Sequence, residues 1–173
     1  MANAYMPQAK TQDWATPKAL FDQLWQEFGG FDLDPCGQPE LHYSAWKIAH
    51  HGGICYDGST AALDGLTQPW PGKVYMNPPY GKQVGLWVAK AVSEVRTGNA
   101  ELVAALLKAT TDVKWWHEYV EGIVTPRFIQ GRLKFGGQPG PAPFPSVIVV
   151  WTKYTGFPLA QPEAAPEQGA FPQ

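Results

Sequence analysis

The chain has 173 residues, 45% of them hydrophobic, and a formal net charge of −2. That length suits one domain with short tails and a proper core; no apolar run reaches the length of a membrane span, and the polar N-terminus lacks the apolar core of a secretory signal, so a cytoplasmic protein is the expectation. The net charge by itself argues against a nucleic-acid partner, but residues 101–154 hold 6 basic and 4 acidic side chains, with Arg127, Arg132 and Lys134 close together, a footprint compatible with a few phosphate contacts.

Residues 1–12 read as a flexible leader, 13–154 as a single domain and 155–173 as a Pro-rich tail. Thr16-Pro17 opens the first helix, with threonine as N-cap and proline at the first helical position. Leu20, Phe21, Leu24, Trp25 and Phe28 follow at helical spacing, and Gly29-Gly30 stops the helix. Phe31-Asp32-Leu33-Asp34 alternates apolar and polar before Pro35, which predicts a strand carrying Asp34 at its carboxyl end. Residues 36–72 are rich in Gly, His and Pro and predict irregular structure with at most short elements. Ile54-Cys55-Tyr56 reads as a short strand ending at Asp57, and Asp64-Gly65-Leu66 as a turn or strand end. The two cysteines, Cys36 and Cys55, form no zinc template with His42, His50 and His51 between them, so no metal site is predicted.

From Lys73 the pattern becomes regular. Val74-Tyr75-Met76 is a strand, and Val84, Trp87, Val88, Ala91, Val92 and Val95 trace one face of a helix ending near Gly98. Residues 102–107 form a continuous apolar run, as in a strand buried on both faces. Thr111 or Asp112 caps a helix through Trp115, Trp116, Tyr119 and Val120. Residues 123–129 and 146–151 are two more strands, separated by the Gly- and Pro-rich segment 131–145. This order predicts an α/β fold, mostly parallel, with an antiparallel hairpin at one edge. Ligands in such sheets sit at the carboxyl ends of strands, where Asp34 and Asn77 converge on one crevice.

Asn77-Pro78-Pro79-Tyr80 is the most chemical segment of the chain. Two consecutive prolines neither continue a helix nor donate to a ladder, so the strand before them stops in a rigid loop with an exposed amide, an unclaimed carbonyl and an aromatic ring. An exocyclic amine is a poor nucleophile because its lone pair is delocalised into the ring. Acceptors for both amino hydrogens, here the Asn77 side-chain oxygen and the Pro78 carbonyl, would draw the nitrogen toward tetrahedral geometry. Tyr80 offers a face for an extruded base, and catalysis would be mainly positioning. Trp25, Trp87 and Phe28 read as core, and His117 as structural.

Taken together, Trp14-Ala15-Thr16-Pro17, Phe31-Asp32-Leu33-Asp34-Pro35, Asp64-Gly65-Leu66 with Trp70, Asn77-Pro78-Pro79-Tyr80, Trp115-Trp116-His117, Gly131-Arg132-Leu133-Lys134-Phe135 and the strand at 145–151 occur in the order seen in one family. The chain from Trp14 to Trp151 resembles the phage-type DNA adenine-N6 methyltransferases (Dam-like proteins of phages and prophages). The resemblance implies a Rossmann-like methyltransferase fold, compact or partly reduced, with S-adenosylmethionine as methyl donor and adenine in DNA, double-stranded, as acceptor. It implies a catalytic role for Asn77, Pro78, Pro79 and Tyr80. By position it also implies cofactor contacts from Trp14, Thr16 and Pro17 at the helix opening, from Asp34 and Pro35 at the strand end, and from Asp64 or Asp57. Arg132 and Lys134, in a Gly-rich hairpin, are the candidate DNA-phosphate contacts. A phage-encoded member would act in the host cytoplasm, for example against restriction.

Two departures accompany the match. Asp34-Pro35-Cys36-Gly37-Gln38 has one glycine where methyltransferases usually carry a Gly-x-Gly loop, and the interval from Asp34 to Asn77 is short, with one helix–strand unit compressed or missing. The tetrapeptide also leaves open cytosine N4, RNA adenine or a protein glutamine as acceptor, and a relative that binds nucleic acid without turnover.

Overall fold

Helix α1 (Lys18–Phe28) forms where its apolar positions share a face: Phe21 and Leu24 are buried, and Trp25 and Phe28 pack beside them. Burial of each such side chain stabilises the fold by roughly 1.5–3 kcal/mol. Gly29, at φ 69°, closes the helix, its N–H returning to the Trp25 carbonyl. The entry differs from the expected cap. Pro17 stands at the N-cap without a side-chain bond, and the Thr16 hydroxyl is engaged by Tyr75 and Asn77 instead. The structure is a computed structural model and describes residues 14–157; the expected leader at 1–12 and most of the expected tail lie outside the described residues.

After α1 come β1 (Leu33–Asp34), α2 (Tyr43–His50), β2 (Ile54–Cys55), a 3-10 turn (Ala61–Leu63), β3 (Gly72–Met76), α3 (Val84–Arg96), β4 (Ala100–Lys108), α4 (Lys114–Tyr119), β5 (Arg127–Phe128) and β6 (Ser146–Thr152). The sheet order is β2-β1-β3-β4-β6-β5. Strands β2, β1, β3 and β4 run parallel, and β6 is antiparallel to both β4 and β5. Side chains alternate across it. Val74 and Met76 of β3, with Val103, Ala105 and Leu107 of β4, face α3 and α4, while Tyr75, Ala104 and Leu106 face α1. The result is a three-layer α/β arrangement. Among the described residues no helix is long and apolar enough to cross a membrane.

Several elements differ from the sequence-based expectation. Residues 36–72 contain a helix, α2, whose Ser44, Ala45 and Ile48 are buried. Together with the two-residue β2 it is the helix–strand unit between Asp34 and Asn77, compressed and not lost. Helix α4 starts after Val113, without a cap from Thr111 or Asp112. The strand expected at 123–129 is reduced to Arg127–Phe128, because residues 121–123 turn. Segment 131–145 is irregular: Gly136 bridges Ala15, and the Ala142 N–H returns to Leu133.

The sheet order places the crevice. From β1 the chain passes outward to β2, and β3 lies on the other side of β1. The loops leaving β1 and β3 therefore diverge, and a cleft opens between Asp34-Pro35 and Asn77-Pro78.

Candidate functional site

Asn77 follows directly on β3, and Pro78 and Tyr80 after it are buried while Pro79 is exposed. The Asn77 amide is half-buried, not exposed as expected. Its Nδ2 donates to the Trp14 carbonyl at 2.6 Å and to Thr16 Oγ1 at 3.0 Å. A backbone carbonyl only accepts, so the first contact defines which end of the amide faces residues 14–16. The other end, Oδ1, is buried and has no hydrogen-bond partner among the described residues. Leaving such an acceptor unpaired costs about 1–3 kcal/mol, a cost removed when a ligand supplies a hydrogen.

A cavity of about 320 Å³ lies beside this loop, lined by Pro35, Cys36, Asp57, Asp64, Gly65 and Pro79 with Gln38, His42, Tyr56 and Trp87. It therefore gathers four of the residues singled out in the sequence: Pro35, Asp57, Asp64 and Pro79. Asp57 accepts from the Ser59 N–H at 2.8 Å, and hydrogen bonding from the Ser59 side chain, then from that N–H, holds its carboxyl below the usual range. Asp64 accepts from the Leu66 N–H at 3.0 Å. The turn carrying Asp64 is pinned from below. Trp70 Nε1 donates to the Gly65 carbonyl at 2.7 Å, and the Trp70 N–H donates to buried Glu94 at 3.1 Å.

Asp34 does not line this cavity. It is 2% exposed, accepts from the Cys36 N–H at 3.1 Å and from Ser44 Oγ at 3.3 Å, and so anchors the loop from beneath. Burial pushes its pKa up to about 6. The single glycine of that loop has a steric cause. A Cβ on Gly37 would fall 2.3 Å from Asp34 Oδ2 and 2.6 Å from Ala45 Cβ. Likewise a Cβ on Gly65 would meet the Pro35 carbonyl oxygen at 1.9 Å, so the two cavity loops touch through backbone alone. Cys36 and Cys55 are free thiols, and burial raises both, Cys55 to about 12, so neither is ionised at neutral pH.

A second cavity, about 430 Å³, lies at the end of the same loop, lined by Tyr80, Lys82, Val84, Lys108, Val113 and Trp115 among others. Tyr80 donates to the Leu106 carbonyl at 3.2 Å, and its ring meets Phe135 and Phe144 edge-on at 6.2 and 5.4 Å. Burial raises its hydroxyl, which stays protonated. Lys108 Nζ lies 4.3 Å from the Phe144 ring centre and 5.2 Å from that of Tyr80, and burial lowers its pKa. Sequence reasoning missed Lys108. It closes a long apolar strand, and only the fold carries it over the motif's tyrosine.

Trp14, Thr16 and Pro17 line neither cavity. Trp14 packs edge-on against Phe135 and Phe144 at 5.3 and 5.1 Å, and the segment it opens passes behind Asn77. Arg132 and Lys134 are placed on the irregular 131–145 segment, not on a hairpin; both are exposed, while Leu133 between them is half-buried and Phe135 is buried. Arg127, the third member of that basic group, is taken by Glu27, both carboxylate oxygens lying within 2.9 Å of one guanidinium nitrogen.

A six-stranded sheet with four parallel strands, and its crevice at the switch between β1 and β3, is consistent with the class of methyltransferase-like α/β folds. Within that class, the family model described as DNA N-6-adenine-methyltransferase (Dam) matches residues 3–156. The chain belongs to this family, and membership indicates DNA adenine-N6 methyltransferase activity with DNA as substrate. No curated protein matches the chain.

Proposed function

We propose that this protein transfers a methyl group from S-adenosylmethionine to the exocyclic N6 of adenine in double-stranded DNA, on a base turned out of the helix. The observation that carries this reading is Asn77 Oδ1, a buried acceptor without a donor among the described residues, on a loop with a cavity at either end. On this reading the sheet is a reduced Rossmann-like methyltransferase sheet. A phage-encoded enzyme of this kind would act in the host cytoplasm on DNA subject to restriction.

The first cavity has donors and acceptors suited to S-adenosylmethionine. Carboxylates at Asp57 and Asp64 can accept from an ammonium, ribose hydroxyls or an adenine amine, and Gln38, Tyr56 and Trp87 surround them. Its volume lies in the range of small-molecule sites, roughly 300–1,000 Å³. When bound, S-adenosylmethionine supplies an electrophilic methyl group. The protein's own part is arrangement. Asn77 Oδ1 and the Pro78 carbonyl take the hydrogens of the target amine. Pro79 fixes the backbone that follows that carbonyl and brings no N–H donor of its own into the site. Tyr80, held by Leu106, Phe135 and Phe144, presents a fixed ring to the base. Lys108 and Lys82 give that cavity a positive lining suited to the extruded nucleotide's phosphate.

Incubation with DNA and methyl-labelled cofactor, followed by digestion and identification of the modified base, tests the proposal. Labelled N6-methyladenine that disappears with Asn77→Ala is the expected result. Label in N4-methylcytosine, RNA or protein glutamine would replace the acceptor. Absence of any transfer with intact cofactor binding would leave a non-catalytic DNA-binding relative.

A further inference from the structure

A side-chain amide that turns half a revolution exchanges its acceptor for its donor. On a loop that receives the hydrogens of an amine, that turn sets donor against donor. Two acceptors oppose it here, the Trp14 carbonyl and Thr16 Oγ1, both taking hydrogens from Asn77 Nδ2. Thr16 is held in its turn. Its Oγ1 lies 2.6 Å from the Tyr75 hydroxyl in a buried contact, Thr16 being 5% and Tyr75 0% exposed. Whichever hydroxyl donates across that contact, Thr16 Oγ1 remains an acceptor toward Asn77. Tyr75 is locked by packing: its ring meets Phe21 of α1 edge-on at 4.9 Å and Phe31 at 5.6 Å. The ordinary local use of a threonine at this place, capping α1, is not made.

We propose that Thr16 and Tyr75 are positioning residues for methyl transfer: a buried hydroxyl pair that holds the Asn77 amide with its oxygen toward the acceptor amine. Neither touches the reacting atoms. The role rests on the reading that Asn77 Oδ1 receives a hydrogen of the target amine. Removing the Thr16 hydroxyl leaves the amide one anchor, Trp14, and lets the loop settle in geometries that no longer favour transfer, without altering either cavity lining.

The test compares Thr16→Val, Thr16→Ser and Tyr75→Phe with the wild-type full chain. It measures kcat and KM on duplex DNA, S-adenosylmethionine affinity by calorimetry, thermal unfolding, and exchange of the Asn77 side-chain NH₂ protons by NMR. Thr16→Val is expected to lower kcat about tenfold to a hundredfold, with KM and cofactor affinity within about threefold, and to speed exchange of the Asn77 amide protons. Thr16→Ser should restore kcat to within about threefold, and Tyr75→Phe should lower it by about threefold to tenfold. A folded Thr16→Val with wild-type kcat, beside an active wild type, overturns the positioning role alone. If Thr16→Val does not fold, Tyr75→Phe decides, and wild-type turnover in that variant overturns the role. A wild type that transfers no methyl group overturns the proposed function and this role together.

Discussion

Asn77 Nδ2 donates to the Trp14 carbonyl oxygen at 2.6 Å, across 63 positions of sequence. A carboxylate at position 77 would face that carbonyl with charge and no hydrogen. Asn77→Asp is therefore expected to reduce methyl transfer by at least about a hundredfold and to destabilise the fold by about 1–3 kcal/mol. S-adenosylmethionine affinity should stay close to wild type, because Asn77 is absent from the cavity lining. Transfer assays, calorimetry and thermal unfolding check the three parts, and a stable Asn77→Asp variant with normal turnover would contradict them.

Both Asp57 and Asp64 line the first cavity, but they are held differently. Asp64 sits on the turn that Trp70 and Glu94 fasten to the core, whereas among the described residues Asp57 is tied by its near neighbour Ser59. A fixed acceptor loses less entropy on binding. Asp64→Asn should weaken S-adenosylmethionine binding by about tenfold, equivalent to about 1.4 kcal/mol, and Asp57→Asn by less than about threefold. Calorimetry on the two variants decides, and the reverse order would assign the contact to Asp57.

Asp34 makes stability depend on pH. Burial raises its pKa from 3.8 to about 6, so between those values the folded chain holds a proton that the unfolded chain has lost. Stability attributable to this group is present at low pH, falls as pH rises through that window and is level above it. Asp34→Asn keeps an acceptor for the Cys36 N–H and removes the dependence. The change in unfolding free energy between pH 4 and pH 7 should shift by on the order of 1–3 kcal/mol relative to wild type. Denaturant titrations across that range measure it, and identical profiles would refute the assignment.

DNA contacts separate by salt dependence. Each phosphate contact removed should lower the slope of log affinity against log salt by about one. Arg132→Ala and Lys134→Ala are expected to do so. Arg127→Ala should not, because Glu27 already neutralises Arg127. Lys108→Met should raise KM for DNA while leaving cofactor affinity unchanged. Anisotropy titrations at several salt concentrations check the first three; an unchanged slope for both Arg132→Ala and Lys134→Ala would remove the 131–145 segment from the DNA interface.

Much of the architecture is legible along the chain because its causes are local. Helical spacing with a Gly29 stop defines α1, continuous apolar runs define β4 and β6, and paired prolines end β3 at the Asn77 loop. Helix α2 escaped because it buries little: Trp46 is 49% exposed, and only Ser44, Ala45 and Ile48 are buried, too short a pattern to show periodicity. The local cues at Thr16 pointed to a cap, and an isolated helix would use one. In the folded chain, Tyr75 and Asn77 offer that hydroxyl buried partners 59 and 61 positions away, and an unpaired buried polar group costs more than a missing cap at a solvated helix end. The same rule pairs buried Asp34 with the Cys36 N–H and Ser44, and Asn77 Oδ1 stands against it as a buried acceptor with no donor among the described residues. Residue spacing carries the identity of the elements, since backbone geometry repeats over a few residues. The partners of each polar group depend on desolvation among distant segments, and that exists only once the layers have packed.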